Sequence, residues 1–323
     1  MMAFAIGPYC VEKPVILAPM AGVTDLPFRR LCHDQGAGLV VSEMVTSDVR
    51  LWQSNKSRHR LVHDAEVSPR SVQIAGGDPQ MMAEAAQQNV KLGAQIIDIN
   101  MGCPAKKVCN KAAGSALLKD ESLVRDILET VVNSVSVPVT LKIRTGWSEE
   151  QKNALTIAKM AEDIGIKALA IHGRTRECKF QGTAEYDTIA RVKQAISIPV
   201  FANGDIKDAQ TAKFVKDYTQ ADGIMVGRAA QGKPWIFREI NHYLHTNELL
   251  DPPSLEEVSA LVIQHVGNLH EFYGDYLGLR IARKHVGWYL QTLADNTQFR
   301  SVFNRIDNTQ EQLDKLEAFF VGH

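Results

Sequence analysis

The chain has 323 residues, a formal net charge of −1, 45% hydrophobic residues and 23% charged residues. That size allows one large domain or a large and a small one, and that charge balance excludes a bulk polycation. Any contact with nucleic acid must therefore use a local basic patch. No run reaches the ~18 apolar residues of a membrane span, and the first residues lack the charged and apolar regions of a secretory signal. The five cysteines, Cys10, Cys32, Cys103, Cys109 and Cys178, are odd in number and form no C-x-x-C pair. A disulfide framework, a zinc ribbon or another metal site is not expected, and a reducing, cytoplasmic setting is.

In chain order, the first predicted strands are Val15–Pro19, Leu39–Glu43, Ser71–Ala75 and Ile96–Asn100. Pro138–Lys142, Ala168–His172, Pro199–Asn203 and Gly223–Gly227 follow. Each run is nearly continuous in apolar residues, as parallel strands covered by helices are. Amphipathic stretches such as Pro79–Leu92 and Glu149–Ile164 lie between them. Eight such units in roughly 230 residues predict a (β/α)8 TIM barrel. A doubly wound sheet competes, but no G-x-G-x-x-G follows a strand.

After Ile240 the pattern changes. Asn247–Pro253 breaks the chain, and Ser254-Leu-Glu-Glu257 reads as a capping box. Val258, Leu261, Val262, Leu269 and Phe272 then recur at helical spacing, with further helical patterns near 276–293 and 309–320. The expected organisation is a barrel over residues 1–245 and a small all-helical domain over 246–323.

Polar residues gather where the predicted strands end: Met20, Glu43, Gln73, Asn100, Lys142, His172 and Asn203, with Gly227-Arg228 after the eighth. In a barrel these ends converge on one mouth, where active sites are built. Asn203-Gly204-Asp205 and Gly227-Arg228 follow the seventh and eighth strands, the usual place for a phosphate held by backbone N–H groups and an arginine. Ordinary turns would favour the same residue types. Lys142 suits either a Schiff base or a fixed positive charge. Gln73 can donate and accept, as a heterocycle edge requires.

Asn100-Met-Gly-Cys-Pro-Ala-Lys-Lys107 places Cys103 at the fourth strand end. A buried packing thiol, a metal ligand, a nucleophile and a general acid are the alternatives. Cys109, six residues on, comes with no histidine pair, which disfavours metal. Gly102 and Pro104 are expected to set a sharp turn around the thiol.

Four stretches together resemble the tRNA-dihydrouridine synthases: Ala18-Pro-Met-Ala-Gly-Val-Thr-Asp25, Asn100–Val108, Leu141-Lys-Ile-Arg-Thr-Gly146 and Ile171-His-Gly-Arg-Thr-Arg176. Gly227-Arg-Ala-Ala-Gln-Gly232 and Arg280-Ile-Ala-Arg-Lys-His285 are similar to the bacterial B-type branch. The resemblance spans about residues 5–320. It implies FMN over the barrel mouth, with Pro19, Met20 and Ala21 lining it and Gln73 and Lys142 on its ring. His172, Asn203, Gly204, Asp205, Gly227 and Arg228 would hold its ribityl phosphate. It also implies NADPH (or NADH) as hydride donor and reduction of the C5=C6 bond of a D-loop uridine, at position 17 in B-type relatives.

Uracil is a conjugated enone, so hydride arrives at C6 and a proton must reach C5 from the other face. The family motif makes Cys103 that general acid, since a thiol with a pKa near ~8.5 is mostly protonated at neutral pH. Asn100 could bond the uracil edge.

The helical domain is the RNA-binding element of the relatives. Residues 251–323 carry six Lys/Arg against ten Asp/Glu, yet Arg280, Arg283 and Lys284 share one helix face. Arg144, Arg174 and Arg176 are expected to extend this footprint along the rim. A monomer with no protein partner is expected. The competing expectations are a flavin barrel reducing a free pyrimidine, an RNA-binding flavoprotein without turnover, and a flavin-free aldolase-like barrel using Lys142.

Overall fold

The computed structural model describes residues 4–53, 55–61, 67–110, 112–293 and 297–322. An antiparallel hairpin, β1 (Phe4–Ile6) and β2 (Tyr9–Val11), comes first. It is followed by β3 (Val15–Leu17), α1 (Leu26–Asp34), β4 (Leu39–Val40), β5 (Val45–Thr46) and α2 (Asn55–Arg60). Then come β6 (Ser71–Ala75), α3 (Pro79–Lys91), β7 (Ile96–Met101), the one-turn α4 (Lys106–Cys109) and α5 (Glu121–Ser134). Next are β8 (Val139–Arg144), α6 (Ala154–Ile164), β9 (Leu169–His172) and α7 (Asp187–Ala195). The alternation ends with β10 (Val200–Asn203), α8 (Ala209–Thr219), β11 (Gly223–Val226) and α9 (Ile236–Thr246).

The large sheet runs β4-β3-β11-β10-β9-β8-β7-β6-β5, and all its pairings are parallel. β4 and β5 are two halves of one strand position. Between them Val41 bridges Ser71, and the Ser42 N–H donates to the Ser71 carbonyl at 3.0 Å. Nine strands thus close an eight-position ring, the predicted TIM barrel.

Four barrel helices, α1, α3, α5 and α8, start on an aspartate whose carboxylate accepts a first-turn N–H: Asp25, Asp78, Asp120 and Asp208. Each cap satisfies a donor the helix leaves unpaired. Along the strands, alternate residues face opposite ways. Val72, Ile74, Ile97, Ile99, Leu141 and Ile143 pack outward under the helices. Their neighbours face the barrel axis. At the closed end the hairpin plugs the ring, with the Phe4 and Phe201 rings 4.8 Å apart. The open end carries Gln73, Asn100, Lys142, His172 and Asn203.

The helical region contains α10 (Leu255–Thr292), α11 (Thr297–Phe303) and α12 (Thr309–Val321), with its own core of residues such as Val262, Leu269, Leu290, Phe303 and Leu316. The Ser254–Glu257 capping box is formed. Gly274, with φ 71° and ψ 177°, breaks α10 into two helices. Among the described residues, no helix is long and apolar enough to cross a membrane.

The two cores meet along a seam. The Phe28 ring of α1 lies 5.7 Å from His265 and 5.4 Å from His285, both on α10. Burial holds both imidazoles neutral, His265 at about 3. Gly232 has φ +72°, and a Cβ there would lie 2.4 Å from the Trp288 carbonyl oxygen. Gly232→Ala is therefore expected to lower stability by ~2–4 kcal/mol, combining left-handed strain with overpacking. A thermal unfolding midpoint equal to the parent's would show that this seam is not close-packed.

Candidate active site

The mouth of the barrel opens into a cavity of about 1250 Å3, larger than the ~300–1,000 Å3 of most ligand sites. Its lining brings together residues from every strand end, including Met20, Gln73, Asn100, Cys103, Lys142, His172, Asn203 and Gly227. Sequence positions that are far apart converge because inward-facing residues near the ends of parallel strands share one rim.

A buried polar network forms the floor. Asp98 accepts from Thr140 Oγ1 at 2.6 Å and from Gln73 Nε2 at 2.7 Å. Gln73 Oε1 in turn accepts from Asn100 Nδ2 at 2.7 Å. Asn100 Oδ1 then accepts the N–H groups of Gly102 at 3.2 Å and Cys103 at 3.0 Å. Burial raises the Asp98 pKa, while the two hydrogen bonds and nearby Lys142 hold it down. Asp98 was missed as a site residue, although an acid inside Ile96-Ile-Asp-Ile99 is the kind of interruption that marks one.

The thiol loop is pinned at each backbone group that matters. Arg144 Nε donates to the Gly102 carbonyl at 2.8 Å. The Cys103 carbonyl accepts from Ser115 N at 3.1 Å, Ser115 Oγ at 2.9 Å and Cys109 Sγ at 3.5 Å. Cys109 thus helps hold the loop from behind. Burial pushes the Cys103 thiol above its usual pKa, with the Ala105 N–H acting in the other direction. The thiol is protonated at neutral pH.

The glycine this loop requires is not the expected one. Gly102 has no positive φ, and a Cβ there would have only ordinary contacts at 3.5 Å. Gly114 has φ +62°, and a Cβ there would lie 2.7 Å from the Cys103 carbonyl oxygen.

Lys142 Nζ donates to Asn203 Oδ1 at 3.1 Å, and Asn203 Nδ2 donates to the Met225 carbonyl at 2.8 Å. Burial, then Arg144, lowers the Lys142 pKa from 10.5 to about 8, opposed by Asp98 and Cys103. A cation held there in a partly desolvated wall favours an anionic or electron-rich ligand edge. His172 is neutral, lowered to about 2 by burial and then by Lys142, Arg144, Arg174 and Arg228.

On the far side, Asp205 has φ +48° and accepts from Arg174 Nη2 at 2.6 Å and Ala184 N at 2.8 Å. Arg228 lies 3.5 Å from the other Asp205 oxygen, with its side chain 58% exposed. Gly204, at φ +127°, leaves no room for a Cβ, which would meet Ala184 and His172 at 2.8 and 3.0 Å. The Phe180 ring at the entrance lies 5.1 Å from the Arg228 guanidinium.

These residues fit a flavin mononucleotide. The Met20 and Met225 side chains offer apolar wall, Lys142 and the Gln73–Asn100 pair offer a polar edge, and Arg228 with two glycine loops offers an anion cradle.

Several expected RNA contacts lie elsewhere. Arg144 is 1% exposed, and its Nη1 donates to the Thr175 and Lys179 carbonyls at 2.8 and 2.7 Å. Arg174 is 4% exposed and is held by Asp205 and the Gln181 and Gly182 carbonyls. Both are internal braces rather than rim charges, because guanidinium donors satisfy loop carbonyls that would otherwise be buried unpaired. Arg176 is half-buried over the Trp147 ring at 4.5 Å. Arg280 is exposed beside Tyr276, whereas Arg283 Nη2 donates to the Ile306 carbonyl at 2.7 Å and Lys284 Nζ to that of Gly22. The three residues of the expected basic stripe therefore have three different surroundings. Among the described residues, no group of three or more His, Cys, Asp or Glu side chains gathers as a metal site would.

A lowered lysine pKa means the folded state binds fewer protons than the unfolded state as pH rises from about 8 to 10.5. Stability of ligand-free protein is thus expected to rise across that window, with the Lys142 penalty complete below it. Lys142→Met should flatten this rise in urea-unfolding midpoints and add roughly 1–3 kcal/mol at neutral pH. An unaltered pH profile would mean that the ammonium is not desolvated.

The family profile described as dihydrouridine synthase matches residues 16–322. The chain is 64% identical over 320 residues to "tRNA-dihydrouridine synthase B" of Pseudomonas syringae pv. tomato, covering 99% of this chain and 95% of that protein. It is 62% identical over 315 residues to the protein of the same name from Escherichia coli K12, covering 98% of each. Among solved structures, the old yellow enzyme homologue from Zymomonas mobilis superposes with a TM-score of 0.54 at 15% identity, covering 79% of this chain and 95% of that one. Histamine dehydrogenase from Rhizobium sp. 4-9 gives 0.56 at 12% identity, over 82% of this chain and 50% of that one. The last two similarities concern the barrel fold. The extent and identity of the sequence matches place this chain in the dihydrouridine synthase family.

Proposed function

We propose that the protein is a flavin-dependent tRNA-dihydrouridine synthase that reduces a D-loop uridine with NADPH through FMN. The observation that carries this is the placement of Cys103, pinned on the fourth strand position across the ring from the glycine loops of the seventh and eighth. One cavity joins all three. A ring system cradled by those loops and by Lys142 would leave the thiol facing the opposite side of a substrate base.

FMN, when bound and reduced by NADPH, would supply the hydride needed at uracil C6. Cys103 donates its proton to C5 as the enolate collapses, and the thiolate regains a proton from solvent. Asn100 does not need to recognise the base to matter, because it aims the Cys103 N–H and so the thiol. Lys142 would hold the edge of the flavin ring, supplying positive charge where reduction makes the ring electron-rich. A tRNA base is stacked in the free molecule and must be extruded to reach such a cavity. Exposed Lys106, on the cavity wall, and exposed Lys107 and Arg280 would supply charge to a phosphate backbone.

Cys103→Ala is expected to retain FMN and its reduction by NADPH while losing at least ~100-fold in dihydrouridine formation. Normal turnover by this variant, measured by mass spectrometry of tRNA, would exclude the thiol as acid. In the parent enzyme the rate should stay flat through neutral pH and fall only at alkaline pH, as the raised thiol pKa is crossed. Arg280→Ala should weaken tRNA binding evenly across sequences and reduce the salt slope of log K by about 1. An unchanged slope would remove Arg280 from the footprint.

A further inference from the structure

The loop from Pro19 to Asp25 links β3 to α1 and lines the cavity with Pro19, Met20 and Ala21. Its middle is a tight turn. The Met20 carbonyl accepts the N–H groups of Val23 and Thr24, both at 3.0 Å, and the Met20 N–H donates to Thr24 Oγ1 at 2.9 Å. At the apex Gly22 has φ +76°.

Both peptide groups of Gly22 are gripped from outside the loop. Its N–H donates to Glu43 Oε1, and its carbonyl accepts from Lys284 Nζ, which arrives from α10 in the helical region. Glu43 is buried and held by Arg60 Nη2 at 2.9 Å, while Arg60 Nη1 donates to the Met44 carbonyl at 3.0 Å. Met44 also lines the cavity. Three residues further on, Tyr273 of α10 donates to Asp25 Oδ2 at 3.1 Å, while Asp25 Oδ1 caps α1. The helical region thus touches the loop at its apex and at its end.

Lys284 lies 5.4 Å from the Trp288 ring and is half-buried. Burial lowers its pKa, opposed by the nearby Asp25 and Glu43 carboxylates. A lysine that serves only a phosphate backbone would extend into solvent. This one is directed into the seam between the two cores.

We propose that Lys284 is a positioning residue for the flavin rather than a contact to RNA: through Gly22 it seats the Met20 wall of the cavity. Tyr273 supports the same loop through Asp25. Docking of the helical region and retention of FMN are then coupled, and linkage makes that coupling reciprocal. The inference rests on the flavin reading above and adds a role to the helical region within the cofactor site.

The test is titration of flavin-free protein with FMN, without tRNA, followed by hydrogen exchange of α10. Lys284→Met is expected to raise the FMN dissociation constant about tenfold. FMN should protect α10 in the parent protein and no longer do so in Lys284→Met, and Lys284→Arg should restore part of both effects. Tyr273→Phe, which removes a single hydroxyl, should shift FMN affinity in the same direction by less. Lys315→Met, an exposed charge on α12, controls for loss of positive charge and should leave FMN affinity unaltered.

Parent-like FMN affinity and α10 protection in Lys284→Met, with only tRNA binding weakened, would overturn the proposal and return Lys284 to the RNA footprint. Failure of the parent protein itself to bind FMN would overturn the flavin reading and this inference together.

Discussion

The buried chain of hydrogen bonds from Thr140 through Asp98, Gln73 and Asn100 to the Cys103 N–H is the constraint on which the site depends. It crosses three adjacent strands, β8, β7 and β6, and then returns to the loop after β7. Polar groups in a barrel interior must be paired or cost several kcal/mol. Here each is paired to the next, so the orientation of one fixes the others. An amide at Asn100 cannot rotate without leaving Gln73 and two backbone N–H groups unsatisfied. The thiol therefore sits on a loop whose geometry is set below the cavity.

A second set of constraints comes from arginines turned inward. Arg144 joins the thiol loop to the segment after β9, and Arg174 joins that same segment to Asp205 in the loop after β10. The loops after β7, β9 and β10 are thus tied together, with Arg144 at the end of β8 bridging the first two. The positive charges of the two arginines still act on the site: burial holds His172 neutral with both arginines adding to it, and burial lowers Lys142 with Arg144 adding to it. The helical region contributes from another quarter, through Phe28 against His265 and His285 and through the two bonds to the Pro19–Asp25 loop.

Much of this was legible in the sequence. Seven of the eight apolar runs form single strands and the Ser254–Glu257 capping box forms, all of them local patterns; Met20, Gln73, Asn100, Lys142, His172 and Asn203 line one cavity, whereas Glu43, expected beside them, does not. The strand split between β4 and β5 was not legible, because the Leu39–Glu43 run carries no glycine or proline to mark it. The N-terminal hairpin was missed as well, its strands being only three residues each.

By itself the sequence determined the barrel, the meeting of polar strand ends and Cys103 on one rim, and the family. Periodicity and short motifs encode these, since they depend on which way a side chain faces along its own element. Only the tertiary structure decided where the charges go. Arg144 and Arg174 were expected on the surface and lie inside, Gly114 rather than Gly102 makes room for the thiol loop, and Lys284 reaches a carbonyl 262 residues away. A long cationic side chain has the same appearance in sequence whether it meets solvent, phosphate or a distant peptide group. The choice is made by which unpaired acceptor the packed chain brings within reach.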